Sequence, residues 1–180
     1  TRKRLHESPS KSVINRVCQH GCDFVQVAHK FSEYKDIEYR FSFSMAELII
    51  ISNWTDNQRI VFRALRVLLK MNRSLLKVKQ QNNKHIICSF YIKTLMLWAC
   101  ENKRPEFWSE DCMTQSVSEL LRQLVEWLTE KSCPNYFIPS NSMMDHITEV
   151  SADVCALLDS SSFVKRQLLY LWLKKFFQNK

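Results

Sequence analysis

The sequence predicts a mainly α-helical fold, a helical bundle lobe with a small β edge near its N-terminus. The 180 residues include one glycine, Gly21, and four prolines, which are too few turn formers for a protein built of hairpins. Apolar residues recur at intervals of three and four through most of the chain after Thr55, as in packed helices. Residues 39–43 depart from this pattern, because aromatic and polar side chains alternate there as they do in a strand.

The predicted elements follow in chain order. We expect a helix that begins at Ser8-Pro9 and ends at Gly21, since proline suits a first helical position and glycine a helix end. A short strand at 23–27 is expected to pair with the alternating strand. Helices then follow from 44, over 55–79 with Thr55 or Asn53 as its cap, over 86–101, within 108–131, over 142–158 and over 162–178. Residues 1–8 form a basic N-terminal end, and 9–180 form the lobe.

The charge and the cysteines limit the classes of partner and compartment. The formal net charge is +8, which favours an anionic partner, either nucleic acid or a membrane surface. No run of 18 apolar residues exists, so no transmembrane segment is predicted. The seven cysteines are scattered and odd in number, which favours reduced thiols in a cytoplasmic or nuclear protein over a disulfide framework.

The alternating stretch leads directly into a helix start. It places Arg40, Ser42 and Ser44 on one face, with the aromatic residues on the other. Ser44-x-x-Glu47 has the pattern of a capping box, and the apolar run 48–51 follows it. A helix N-terminus favours anions, so these polar groups are candidates for binding one. The alternative is a strand-to-helix joint whose polar residues simply face water.

A basic stripe is the second candidate site. Its six cations recur at intervals of four and three, which places them on one helix face: Arg59, Arg63, Arg66, Lys70, Arg73 and Lys77. No Asp or Glu occurs from Asn57 to Cys100. Like charges at this spacing repel by a few tenths of a kcal/mol per pair, roughly, which favours a face that meets phosphates. The alternative is a solvated face whose partners are acids elsewhere in the fold, for example those between Glu101 and Asp111.

Other chemistries have weaker signals. Cys18-x-His20-x-Cys22 has ligand types suited to zinc, but the spacing is tighter than in zinc fingers and no second pair follows. A single glycine excludes a glycine-rich phosphate loop. We therefore predict neither a metal site nor a catalytic residue within this chain.

Several segments occur together in one order and resemble a known family. They are 39–47, 89–98 with Cys100-Glu101, Trp108, the apolar residues 120–128 and the connector 135–139. In that order they resemble the C-terminal half of the Mab (male abnormal) family, the cGAS-like nucleotidyltransferases. The resemblance covers about residues 9 to 146.

The resemblance implies a helical lobe that packs against a nucleotidyltransferase core. Active relatives bind double-stranded RNA or DNA on a basic surface and make a cyclic dinucleotide from ATP and GTP with magnesium. By position, the residues that look like nucleotide contacts are Arg40, Ser42, Ser44, Glu47, Arg66, Ser89 and Phe90. The residues that look like nucleic-acid contacts are Arg59, Arg63, Lys70, Arg73 and Lys77. Phe90 stands where relatives have a base-stacking tyrosine, so it lacks the phenol.

Two departures from the family pattern shape the hypotheses. The catalytic half, with its Gly-Ser loop and magnesium-binding carboxylates, is expected upstream, so the 180-residue chain is not expected to be an enzyme by itself. The zinc insertion of the vertebrate DNA sensor is missing between Ser44 and Arg59.

The first hypothesis for the function of this chain is the lobe of a cGAS-like innate immune receptor. The alternative is a catalytically silent scaffold with a protein partner. A membrane-surface module is less favoured, because no wedge of aromatic residues flanks the stripe.

Overall fold

The computed structural model describes residues 6, 8–28, 32–34, 36–71 and 89–144. These residues form five α-helices, one 3-10 helix and one two-stranded antiparallel sheet near the N-terminus. The predicted fold class, mainly helical with a small β edge, is therefore confirmed. The chain divides into two compact units, Glu7–Trp54 and a larger unit of Thr55–Lys180 with Thr1–His6. Arg73, Lys77, the polar run 80–84 and most of the last two predicted helices lie outside the described residues.

The first helix, α1, spans Lys11–His20 in the unit Glu7–Trp54. Its cap is Ser10, whose hydroxyl accepts a hydrogen bond from the Val13 amide at 3.4 Å. The predicted start at Ser8-Pro9 is wrong by two to three residues, because the serine after the proline provides the cap. Gly21 ends the helix as predicted. Its φ of 67° is unfavourable for other residues, and its amide donates to the Val17 carbonyl at 3.1 Å.

The sheet of the same unit contains the alternating stretch. Strand β1 is Asp23–Val25 and strand β2 is Arg40–Ser42, and they pair antiparallel with Phe24 opposite Phe41. This confirms the predicted pairing, although both strands are shorter than expected. The Phe24 and Phe41 rings lie 4.8 Å apart on one face of the sheet.

Helix α2 spans Ser44–Ser52, and the capping box predicted at its start is wrong. Phe43 occupies the cap position and no side chain caps the helix there. Strand β2 ends at Ser42, so the chain has one residue in which to change direction and the helix already includes Ser44. The Ser44 hydroxyl instead lies 3.1 Å from the Ser42 hydroxyl.

Helix α3 spans Asp56–Met71 and opens the larger unit with a true capping box. The Thr55 amide donates to Oε1 of Gln58 at 2.9 Å, and the Gln58 amide donates to Oγ1 of Thr55 at 3.3 Å. Thr55 was one of the two predicted caps. The core face of α3 is built from Val61, Ala64, Leu65, Leu68 and Leu69.

Helices α4, Ser89–Asn102, and α5, Met113–Thr129, complete the described core with α3. Nine of the fourteen residues of α4 are buried, which confirms the prediction of a buried helix. Between the two helices, Pro105–Trp108 forms the 3-10 helix. The Ser116 hydroxyl of α5 donates to the carbonyl of Phe107 within it. Burial raises the pKa of the Cys100 thiol, which therefore packs as a small neutral group.

The connector after α5 is fixed to α4 by side-chain hydrogen bonds. The Tyr136 hydroxyl donates to a carboxylate oxygen of the buried Glu101 at 2.7 Å, and Trp98 Nε1 donates to the Pro134 carbonyl at 2.9 Å. Ser142 forms an isolated bridge with Pro134. The predicted helix start at Ser142 is therefore wrong, since the backbone there is paired with the connector.

Candidate nucleic-acid interface

Four cations of the predicted stripe lie on the described part of α3, and we call them the cationic face: Arg59, Arg63, Arg66 and Lys70. All four are exposed. At 3.6 residues per turn they fall within an arc of about 60° and extend about 16 Å along the axis. The buried residues of α3 lie on the opposite side, because the same period that places the cations together places Val61, Leu65 and Leu68 in the core.

The acids proposed as partners of this face are engaged elsewhere or make no described ion pair with it. Glu101 is buried and accepts the Tyr136 hydrogen bond. Within the described residues, Arg63, Arg66 and Lys70 form no ion pair, whereas Lys103 forms a salt bridge with Glu119. Three cations of the face are therefore not neutralised by the acids between Glu101 and Asp111.

An aromatic ring borders the cationic face. The Arg66 guanidinium lies 5.5 Å from the centre of the Phe62 ring, one helical turn earlier. Phe62 is half-buried, so its ring covers the edge of the core and also supports the arginine. This contact restrains the Arg66 side chain without consuming its hydrogen-bond donors, which remain suited to phosphate or base oxygens.

Four of the predicted nucleotide contacts lie in the unit Glu7–Trp54. Arg40 and Ser42 are two apart on β2 and share a face of the sheet. Ser44 joins them through its hydroxyl contact with Ser42. Glu47 lies in the first turn of α2. The structure thus brings Arg40, Ser42 and Ser44 to one side of the strand, as the alternation predicts.

The sheet register adds a residue that sequence reasoning missed. Asp23 lies directly opposite Ser42 across the antiparallel pair, so their side chains share the face that carries Arg40. The available signal was the expected pairing of the two strands, but the register was not deduced from it. The face therefore presents hydroxyls, a guanidinium and a carboxylate, a set suited to the mixed donors and acceptors of a base or ribose.

The other three predicted nucleotide contacts lie in the larger unit. Arg66 is on α3, while Ser89 and Phe90 begin α4. Ser89 is exposed, and Phe90 is half-buried with the Lys93 ammonium 5.1 Å from its ring centre. Helices α3 and α4 pack against each other, but no direct contact between Arg66 and Phe90 is described.

A metal site is not assembled in the described ranges. No group of three or more His, Cys, Asp or Glu side chains is placed there to hold an ion, and Cys18 and Cys22 are free thiols. The described side chains therefore offer no fit for the magnesium that the family resemblance implies, and no chemical step is assigned to that ion.

The larger unit also matches a known protein family. Residues 57–157 match the family model described as the Mab-21 protein HhH/H2TH-like domain, over more than half of the chain. This chain belongs to the Mab-21 family. The match begins in the first turn of α3 and includes α4, α5 and the connector, so the cationic face lies within the Mab-21 domain.

Two curated Mab-21 relatives extend the comparison. Each is a "Protein mab-21-like", one from Drosophila pseudoobscura pseudoobscura and one from Drosophila melanogaster. Each is 30% identical to this chain over 78 residues, which is 39% of this chain and 21% of the relative. The matched segment thus spans about a fifth of the length of these Mab-21 proteins. In the described part of the chain, no helix combines the length and apolar character needed to cross a membrane.

Proposed function

We propose that this Mab-21 chain is the nucleic-acid-binding and nucleotide-binding lobe of a cGAS-like receptor. The observation that carries the proposal is the cationic face, four exposed cations on one side of a helix whose other side is core. The absence of Asp and Glu from 57 to 100 means that Arg63, Arg66 and Lys70 have no acid one helical turn away in the sequence. Double-stranded RNA or DNA is the proposed ligand, because regularly spaced phosphates match a line of cations.

Binding at this face is proposed to be largely electrostatic. Each phosphate contact releases condensed counterions and contributes about 0.9 to the salt slope, so four contacts predict a slope of about −3.6. Reversal of three of the four charges removes about 2.7 from that slope and weakens binding by about 100-fold at physiological salt.

Fluorescence anisotropy with labelled 40-base-pair RNA and DNA duplexes tests this proposal. The variant Arg59→Glu/Arg63→Glu/Lys70→Glu is compared with Lys11→Glu/Arg16→Glu/Arg122→Glu, which makes the same change in net charge at exposed cations outside α3. We expect the first triple variant to lose binding and the second to keep most of it. Equal losses would show that only net charge matters, and salt-independent binding would refute the electrostatic interface.

The nucleotide part of the proposal concerns a longer protein that carries a catalytic half. In that longer protein, magnesium would be held by the catalytic half. The proposed contacts to ATP or GTP come from seven residues of this chain: Arg40, Ser42, Ser44, Glu47, Arg66, Ser89 and Phe90. In the unit Glu7–Trp54, the Ser42 and Ser44 hydroxyls are proposed to bond a nucleotide base. In the larger unit, the Phe90 ring is proposed to stack on a nucleotide base. The proposed product is a cyclic dinucleotide. Incubation of that longer protein with ATP, GTP, magnesium and duplex separates the receptor, which makes product, from the silent scaffold, which makes none.

A further inference from the structure

One cation of the cationic face has an aromatic ring beside it. The Arg66 guanidinium lies 5.5 Å from the centre of the Phe62 ring, which is four residues earlier on α3. Residues four apart on a helix are neighbours on its surface, so the backbone itself brings the two side chains together. The residues four before Arg63 and Lys70 are Arg59 and Arg66, both cations. Arg66 thus differs from Arg63 and Lys70 in having a ring, and not a like charge, four residues before it.

The Phe62 ring is itself restrained by the fold. Phe62 is half-buried, and at 3.6 residues per turn it lies between the exposed Arg66 and the buried Leu69 around the circumference of α3. One part of its side chain is therefore enclosed by the protein, while another part is accessible to the guanidinium. Attraction between the guanidinium and the ring then favours those rotamers of Arg66 that keep the two in contact.

This restraint changes what Arg66 loses when it binds a phosphate. A long surface side chain gives up rotamer freedom on binding, and that ordering opposes association. Because the ring contact already limits the rotamers of Arg66, less freedom is lost when a phosphate binds. The planar guanidinium keeps the N–H donors at its edge, where two of them fit two oxygens of one phosphate. Arg63 offers the same donors from the same face without a ring four residues before it, so it loses more freedom for the same contact.

We propose that Phe62 is a positioning residue for duplex binding. Its ring holds the Arg66 guanidinium in an orientation that meets a backbone phosphate, and this makes Arg66 a stronger phosphate contact than Arg63. The inference rests on the proposed nucleic-acid-binding function, and it adds to that interface a residue that carries no charge. The phosphodiester backbone is common to RNA and DNA, so the effect of the ring is expected with both duplexes.

A double-mutant cycle tests whether Phe62 acts through Arg66. Fluorescence anisotropy with the labelled 40-base-pair duplexes measures the affinity of the 180-residue chain with Phe62→Leu, with Arg66→Ala and with both. We expect Phe62→Leu to weaken binding about fivefold without changing the salt slope, because it removes preorganisation and no charge. Arg66→Ala should reduce the slope by about 0.9, and Phe62→Leu should have no further effect in that background. A fivefold loss in both backgrounds, or no loss in either, overturns the proposal.

Two controls separate positioning from a purely structural role of the ring. Phe62→Tyr keeps an aromatic ring and should bind duplex as tightly as the unchanged chain. In an Arg63→Ala background, Phe62→Leu should still weaken binding about fivefold, since Arg66 is present there. If leucine instead disturbed α3 as a whole, Phe62→Leu would cause the same loss in the Arg66→Ala and Arg63→Ala backgrounds. That result, or a loss with Phe62→Tyr as large as with Phe62→Leu, overturns the positioning role.

Two exposed positions carry the same test should Phe62→Leu fail to fold. Arg63→Ala and Arg66→Ala each remove one exposed cation from the same face, so each should reduce the salt slope by about 0.9. At a single salt concentration, Arg66→Ala should nevertheless weaken binding about fivefold more than Arg63→Ala, and equal losses overturn the proposal. If the triple reversal at Arg59, Arg63 and Lys70 abolishes binding but these differences are absent, the nucleic-acid interface stands and the role of Phe62 does not. No duplex binding by the unchanged chain would overturn the proposed function and this inference together.

Discussion

Helices α3 and α4 pack against each other, yet they differ in what their surfaces do. In α4 the residues on most sides are buried, and Leu95, Met96 and Leu97 are 2% exposed or less. In α3 one side is equally buried, while the other carries four exposed cations and no acid after Asp56. Most side chains of α4 are thus in the core, whereas α3 has one buried face and one exposed, cationic face. Substitutions at α4 should therefore affect the free energy of unfolding, whereas substitutions at the cationic face should affect the nucleic-acid binding that we propose.

The largest expected effect comes from the core of α4. Leu95→Ala removes a side chain that is 1% exposed, so we expect a loss of about 3 kcal/mol in the free energy of unfolding from lost burial and the cavity left behind. Chemical denaturation measures it. Leu48→Ala, at a leucine that is 59% exposed on α2, is the control and should cost well under half as much. Equal losses at the two leucines would contradict the assignment of α4 to the core.

The next effect is at the hydrogen bond that fixes the connector to α4. Tyr136→Phe removes the hydroxyl that donates to the buried Glu101 side chain, and we expect a loss of about 2 kcal/mol in the free energy of unfolding, since a buried acceptor loses a hydrogen bond that water does not replace. Thermal and urea unfolding measure it. Tyr34→Phe, at an exposed tyrosine, should change stability by less than about 0.5 kcal/mol. If Tyr136→Phe left the free energy of unfolding unchanged, the hydrogen bond would contribute no net stability.

A smaller effect is expected at the start of α3. Thr55→Ala removes the side-chain oxygen that accepts from the Gln58 amide, so unfolding should become easier by about 1 kcal/mol. Thr55→Ser keeps the hydroxyl and should recover most of that loss. Urea denaturation of the three proteins checks the order, and a serine variant as unstable as alanine would contradict the capping role.

The smallest expected effect is a gain in stability rather than a loss, and it compares the surface charges of α3 with those of α5. Arg63 has Arg59 four residues before it and Arg66 three residues after it, so Arg63→Glu replaces repulsion with attraction and should stabilise α3 by about 0.5 kcal/mol. On α5, Arg122 has Glu119 three residues before it and Glu126 four residues after it. Arg122→Glu therefore replaces attraction with repulsion and should destabilise α5 by a similar amount. Differential scanning calorimetry compares their midpoints. If both variants shifted the midpoint in the same direction, neighbouring charges would not determine these small changes in stability.

Periodicity and end signals in the sequence were sufficient for much of this structure. The buried faces of α4 and α5, the end of α1 at Gly21 and the Thr55 cap depend on neighbours within a few residues, so local physical chemistry decides them. The same holds for the cationic face, because the spacing of Arg59, Arg63, Arg66 and Lys70 has the period of a helix. Family membership was also recognisable from the order of the segments, and the Mab-21 match confirms it.

Only the tertiary structure decided the features that join distant residues. Ser44 and Thr55 begin the same kind of pattern in the sequence, but β2 ends two residues before Ser44 and the helix there starts without a side-chain cap. Asp23 reaches the Arg40 face through strand register, and Tyr136 meets Glu101 through the path of the connector. Such contacts depend on chain reversal and packing, which one-dimensional patterns do not encode.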